Sequence, residues 1–287
     1  MPYRIVQSKQ NARLKELRQT LAHPGRNERG LAAIEGPNLL AEALRAGLRI
    51  ETVFVAEGAE RLVDQLPLAA STELLLLPRP LLDAALSTES PQPVAALLTP
   101  PAWDWADLLP QSPSPSAAHP PLIVLLAGLQ DPGNLGTILR SAEAFGATGL
   151  IALPGSVSAW NQKAVRASAG SLFRLPLIAS TAEEAFPRLR QAGLRIYSTA
   201  VEGAQPAPLA NLSQPVAILI GNEGNGVPAG IAALADAALT IPCPGPVESL
   251  NASIAASILL YEASRQRACA SRDCASSGRS GVCRSQS

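Results

Sequence analysis

A chain of 287 residues is longer than one hydrophobic core usually supports, and 47% apolar with 16% charged residues is the composition of a folded protein in two parts, not a disordered one. No apolar run reaches the roughly 20 residues of a membrane span, and charges stand where a secretory signal has its apolar stretch, so a cytoplasmic protein without membrane contact is expected. The net charge is zero, yet residues 1–30 hold seven basic side chains against two acidic ones and residues 51–120 hold two against nine; a basic front suits a local phosphate contact or a solvated helix face.

Taken in order, the chain opens with a basic helix near 11–21, which carries Arg13 and Lys15, then a short strand at 32–35, a helix at 37–47 and strands at 52–57, 73–78 and 94–99, with a short helix near 80–86. This is a small α/β layer over residues 1–100. Seven prolines fall between Pro100 and Pro121, so residues 101–120 are expected to form an extended linker that neither packs a core nor holds a helix.

From 121 onward the strands are apolar throughout, at 122–129, 149–154, 195–201 and 216–221, with helical stretches between them. Continuous apolar strands mark a parallel sheet covered on both faces, whose ligands sit beyond the carboxyl ends of the strands. A final helix over 249–267 brings Leu250, Ile254, Ile258 and Tyr261 to three- and four-residue steps, beside a thin surface of alanines that permits close helix packing within the fold or between subunits. Residues 269–287 lack periodicity and are expected to be disordered. Cys243, Cys269, Cys274 and Cys283 make no disulfide framework, and the last three lack a C-x-x-C knuckle and a fourth ligand, so no metal is expected.

Three loops carry the chemistry. The first, 128–147, breaks at Asp131-Pro132-Gly133-Asn134; Asn134 is placed to cap the following helix, and Arg140 projects from it two turns on, as a site residue or a plain surface arginine. Its glycines fit neither a phosphate-binding P-loop, which needs Lys and Ser/Thr where Asn134 and Leu135 stand, nor G-x-G-x-x-G. The second, 218–228, sets Gly221, Asn222, Glu223 and Gly224 at the end of an apolar strand; the acid is expected to meet an arginine or to lie exposed in a tight turn. In the third, 240–257, prolines at 242, 244 and 246 stiffen the approach to Glu248-Ser249-Leu250-Asn251, where Ser249 can cap the last helix and Asn251 can lie in its first turn.

In that order, Asn134-x-Gly136-x-x-x-Arg140, then Ile-Gly-Asn-Glu-Gly at 220–224, then Ile241-Pro with Glu-Ser-Leu-Asn at 248–251, the segments resemble the three signatures of the SpoU, or TrmH, branch of the knotted SPOUT methyltransferases over residues 121–268. IEGPNLLAEAL (34–44) and STESPQPVAAL (87–97) resemble the substrate-binding domain often fused to that family, with Pro93 where a glycine is usual. The resemblance implies an N-terminal domain like ribosomal protein L30e, a C-terminal sheet with a deep trefoil knot, and a homodimer. It implies transfer of a methyl group from S-adenosylmethionine to a ribose 2′-hydroxyl of structured RNA, most of all 23S ribosomal RNA; transfer RNA, or RNA binding without catalysis, is the alternative, and a nicotinamide-dependent enzyme a more distant one. The backbones at Gly221, Ile241 and Leu250 would hold the cofactor and Arg140 would stand at the 2′-hydroxyl, held by Glu223. Asn134, Ser249 and Asn251 would shape the ribose site, and Lys163 and Arg166 would meet RNA phosphates.

Overall fold

The computed structural model describes residues 2–23, 25–86, 88–109, 120–201, 203–247 and 249–277. Its elements run β1 (Arg4–Ile5), α1 (Ala12–Ala22), β2 (Ala32–Glu35), α2 (Pro37–Arg45), β3 (Ile50–Ala56), β4 (Glu73–Leu77), α3 (Arg79–Asp83), β5 (Val94–Leu98), α4 (Trp105–Leu108) and β6 (Leu122–Ala127). They continue with α5 (Pro132–Ala144), β7 (Gly149–Ala152), α6 (Gln162–Ser168), β8 (Leu177–Ala179), α7 (Ala182–Gln191), β9 (Arg195–Thr199) and β10 (Gln205–Pro206). The last are β11 (Val216–Gly221), α8 (Ala229–Ala232), β12 (Ala237–Thr240) and α9 (Ala252–Ser277). Two compact units result: residues 1–102, 132–140 and 157–174 form one, and residues 103–131, 141–156 and 175–287 the other.

The first unit is built on a five-stranded sheet in the order β1-β4-β3-β5-β2, with β5 antiparallel to both neighbours. Asn11 caps α1 by accepting the N–H groups of Arg13 and Leu14. Leu14, Leu17 and Leu21, one turn apart, then face the core beside Phe54, Leu75 and Leu97. At the turn into α2, Gly36 takes a φ of 106°, a region that L side chains avoid, and Pro37 opens the helix where its missing N–H costs nothing. Glu35 is buried, and its Oε1 accepts the Thr88 hydroxyl and the Gln92 N–H. The two front segments singled out in the sequence are therefore joined through one carboxylate.

The edge strand β2 is buried along its whole length. Within the same unit the Gln162 amide donates to the Ala33 carbonyl, and Arg174 pairs with Glu42 at 2.5 Å. Residues 157–174 thus cover an edge that would otherwise expose unpaired backbone groups. Gly136 has a packing reason as well: a Cβ there would lie 2.5 Å from the Ala164 carbonyl oxygen and 2.5 Å from the Ala167 methyl, so α5 and α6 approach as closely as they do only over a bare backbone.

The second unit holds a seven-stranded, wholly parallel sheet in the order β10-β12-β9-β11-β6-β7-β8. Its middle strands, β11 and β6, are the two that are buried at every residue, as strands covered on both faces must be. The short edge strands β8 and β10 carried too little apolar sequence to be read in advance, as did β1 in the other sheet. In chain order β6, β7 and β8 step outward on one side, whereas β9 starts on the other and β11 inserts between β9 and β6. The loops after β6 and β11 leave the sheet side by side at that reversal, the place where open parallel sheets form crevices.

Four sequence expectations are corrected. Residues 101–120 are not an extended linker throughout, because Asp104 and Asp107 build a capping box around α4, and Leu108 is fully buried with Trp103, Trp105 and Leu109 packed on the same core. Gly149 gives Leu108 room, since a Cβ there would fall 2.9 Å from Leu108 Cγ. Apolar content between the prolines outweighed the prolines; residues 110–119 lie outside the described ones. Helix α9 continues to Ser277 where disorder was expected from 269, for that stretch has no proline or glycine to stop it; the expectation for 278–287 falls outside the described residues. Asn134 is no cap: α5 starts at Pro132, so Asn134 sits in its first turn. Asn251, and not Ser249, caps α9.

Candidate functional site

The site is assembled at the carboxyl ends of the parallel strands. Asn222 follows β11 and turns its side chain both ways: Nδ2 donates to the Gly128 carbonyl at 3.0 Å, and Oδ1 accepts the N–H groups of Gly224 and Asn225. Beside it, the Glu223 carboxylate accepts the N–H groups of Gln130 and Asp131 at 3.2 and 2.9 Å. Two adjacent side chains of one loop therefore fix the loop that leads into α5, and the charged oxygens strengthen those bonds. These backbone partners were not named from the sequence, because backbone N–H groups leave no trace in it.

Gly221 must be glycine for a reason of the fold. The chain doubles back at a bridge between Asn222 and Gly226, and a Cβ on Gly221 would lie 2.0 Å from the Gly226 carbonyl carbon and 2.2 Å from the Val227 nitrogen. Over this hairpin opens a cavity of about 690 Å³, bounded by the ends of β9, β11 and β12 and by the first two turns of α9. Five of the residues to which the resemblance gives a site role line it together: Gly221, Glu223, Ile241, Ser249 and Leu250. Thr199, Thr240 and Cys243 line it too and were missed, although their place at the ends of apolar strands was a usable signal.

The other singled-out residues lie elsewhere. Asn251 caps α9 immediately after the cavity-lining Leu250. Asn134, 8% exposed, and Arg140, exposed, belong to α5 in the first unit. Lys163 and Arg166 stand exposed on α6, whose cap Asn161 accepts the Lys163 N–H. Arg13 is held between Glu16 and Glu73 at 2.9 and 3.2 Å, which pushes its guanidinium above the usual value, first through the Glu16 bond; Lys15 is half-buried on the same helix. Among the described residues no three His, Cys, Asp or Glu side chains gather as a metal site would need, and no helix is long and apolar enough to cross a membrane.

A wholly parallel sheet with a cavity at its carboxyl edge fits the frame of an RNA methyltransferase, and comparison with known proteins agrees. Residues 121–261 match the SpoU rRNA Methylase family, and residues 11–96 match the MRM3-like substrate binding domain. The chain is 29% identical to a Bacillus subtilis 23S rRNA (guanosine(2553)-2′-O)-methyltransferase, over 89% of this chain and 97% of the relative. It is 35% identical to an uncharacterized tRNA/rRNA methyltransferase of Synechocystis, over 93% and 95%. The crystal structure of an AdoMet-bound rRNA methyltransferase from Sinorhizobium meliloti superposes with a TM-score of 0.78 at 30% identity, covering 92% of this chain and 98% of that one. The chain belongs to the SpoU family of RNA methyltransferases, with a substrate-binding domain in front.

Proposed function

We propose that this S-adenosylmethionine-dependent RNA methyltransferase modifies a ribose 2′-hydroxyl of 23S ribosomal RNA. The observation that carries the reading is the convergence of Gly221, Glu223, Ile241, Ser249 and Leu250, from separate stretches of sequence, on one cavity. The cavity fits the cofactor: its volume suits a nucleoside-sized ligand, and it joins backbone polar groups at strand ends to apolar walls from Ile220, Leu239 and Leu259. The backbones at Gly221, Ile241 and Leu250 hold the cofactor, which when bound supplies an electrophilic methyl group on a sulfonium. Support for ribosomal RNA comes from the Bacillus subtilis relative and from the front domain, which is matched over most of its length.

A ribose hydroxyl is a poor nucleophile and must lose its proton as it attacks. Arg140 orients that hydroxyl and stabilises the negative charge that grows on it; because a guanidinium has donors and no acceptor, a neighbouring RNA phosphate takes up the proton. Glu223 fixes the loop before α5, while Asn134, Ser249 and Asn251 shape the ribose site. Lys163 and Arg166, with Arg13 and Lys15 in the front domain, meet RNA phosphates. The reading includes a trefoil knot in the parallel-sheet unit, a front domain like ribosomal protein L30e, and work in the cytoplasm as a homodimer. Exposed Ile254, Ile258 and Tyr261, at four- and three-residue steps on α9, support the dimer, since monomers seldom leave such a face bare.

Mapping 2′-O-methyl sites in ribosomal and transfer RNA from a deletion strain, with and without the restored gene, tests this. One 23S site should vanish and return; a restored site in transfer RNA would reassign the substrate. Arg140→Ala should lower methyl transfer at least about a thousandfold while cofactor binding measured by calorimetry stays within about twofold. Loss of both together would make Arg140 structural.

A further inference from the structure

Helices α5 and α9 are joined by hydroxyl groups that neither the cavity nor the family signatures call for. Within the second unit, Ser141 Oγ lies 2.7 Å from Ser257 Oγ, and Ser257 Oγ lies 2.7 Å from the Ser253 carbonyl oxygen. A serine has one hydroxyl proton. Ser257 gives its proton to the Ser253 carbonyl, so Ser141 is the donor in the hydroxyl pair, and the bonds run in one direction from α5 into α9. Ser253, 6% exposed, in turn donates its own hydroxyl to Asn251 Oδ1 at 2.7 Å. Asn251 Oδ1 also accepts the N–H groups of Ser253 and Ile254, so its amide oxygen is turned into the helix.

A serine bonded to the carbonyl four residues back is ordinary in a helix. A hydroxyl pair bridging two helices is not explained that way, and it does not stand alone. Four residues on from each serine, Phe145, which follows α5 directly and donates its N–H to the Ser141 carbonyl, and Tyr261 of α9 meet edge to face at 5.7 Å and 72°. Two contacts one turn apart, the serine pair and the ring pair at the end of α5, hold the last turn of α5 against rotation about its axis. Ser141 follows Arg140 on a continuous helix of 3.6 residues per turn, so a restraint on Ser141 restrains the direction in which Arg140 leaves the helix.

We propose that Ser141 and Ser257 are positioning residues for methyl transfer, their hydroxyl pair setting the rotation of α5 behind Arg140 while Ser253 holds Asn251. This rests on the roles given above to Arg140 and Asn251. The test uses the full chain, saturating S-adenosylmethionine and single-turnover methylation of the ribosomal RNA substrate, with cofactor affinity by calorimetry and the melting temperature measured alongside. Ser257→Ala and Ser141→Ala should each slow transfer about tenfold, the size of a small misplacement, with cofactor affinity and melting temperature unchanged. The double variant should be no slower than either single one, because both remove the same bond. Ser257→Thr, which keeps the hydroxyl, should restore the rate. Transfer at the wild-type rate in Ser257→Ala, or multiplied losses in the double variant, overturns the inference while the enzyme stays active. A loss of melting temperature and cofactor affinity that Thr does not reverse also overturns it. Absence of any transfer by the wild-type chain instead overturns the parent reading, and this one with it.

Discussion

The two sheets differ in the sense of their strands, and the difference bears on where a ligand can bind. In the seven-stranded sheet every strand runs the same way, so all carboxyl ends meet one edge, and the loops after β9, β11 and β12 line one cavity there. In the five-stranded sheet β5 opposes its neighbours, and strand ends are divided between two edges. Its loops are spent on closing the unit, as when Glu35 at the end of β2 takes up Thr88 and Gln92. Uniform direction gathers polar loop groups for a ligand; mixed direction lets them satisfy each other.

Gly221→Ala should test that contrast most severely. The added methyl would fall on backbone atoms of Gly226 and Val227, which cannot swing aside as a side chain can, so about 3 kcal/mol or more is expected. Calorimetry should show cofactor binding lost, and normal affinity would mean that the hairpin is not what shapes the cavity. Arg267 comes next. This 3% exposed side chain donates to the carbonyls of Pro120, Pro121, Leu212 and Gln214, tying α9 to the starts of β6 and β11, and burial lowers its pKa to about 10, so it stays charged at neutral pH. Arg267→Met leaves those oxygens without the guanidinium and should cost about 3 kcal/mol in denaturant unfolding. Because the tie lies at the far ends of the strands, cofactor affinity in the folded fraction should not change.

Gly136→Ala offers the matching test in the first unit. A methyl 2.5 Å from the Ala164 oxygen and the Ala167 methyl should push α5 off α6 at a cost of about 2 kcal/mol, visible as a lower unfolding midpoint. An unchanged midpoint would mean that the two helices yield freely. The smallest effect is expected at Glu262, whose bond to Arg265 lowers the carboxyl pKa below its ordinary 4.5. A depressed folded pKa adds stability above the unfolded value, and that stability is lost as pH falls through the folded one. Glu262→Gln should therefore cost a few tenths of a kcal/mol at pH 7, shrinking toward nothing as the solution is acidified below the ordinary value. A difference that persists in acid would assign the effect to packing.

Much of the fold was legible because burial leaves a periodic record. Leu14, Leu17 and Leu21 announce a helix, and the unbroken apolar runs at 122–127 and 216–221 announce the middle of a parallel sheet. Two- and three-residue strands such as β8 and β10 leave no such record. Trp103, Trp105 and Leu108 were overlooked for the opposite reason, since the prolines around them suggested a chain too stiff to pack. At the site, the family resemblance carried by the three loop segments pointed to five cavity-lining positions. They did not tell which neighbour caps α9, because Ser249 and Asn251 are both good caps and only the helix start separates them.

The amino-acid order by itself determined the α/β class of both parts, the parallel character of the second sheet and several residues that line its cavity, because hydropathy period and side-chain type are local properties. Tertiary structure alone decided that Glu223 grips the N–H groups of Gln130 and Asp131, that Gly136 and Gly221 are held by close backbone approach, and that Ser141 meets Ser257. Each of these joins groups far apart in the chain or includes a backbone atom that every residue shares. Such pairings exist only once the chain has closed on itself.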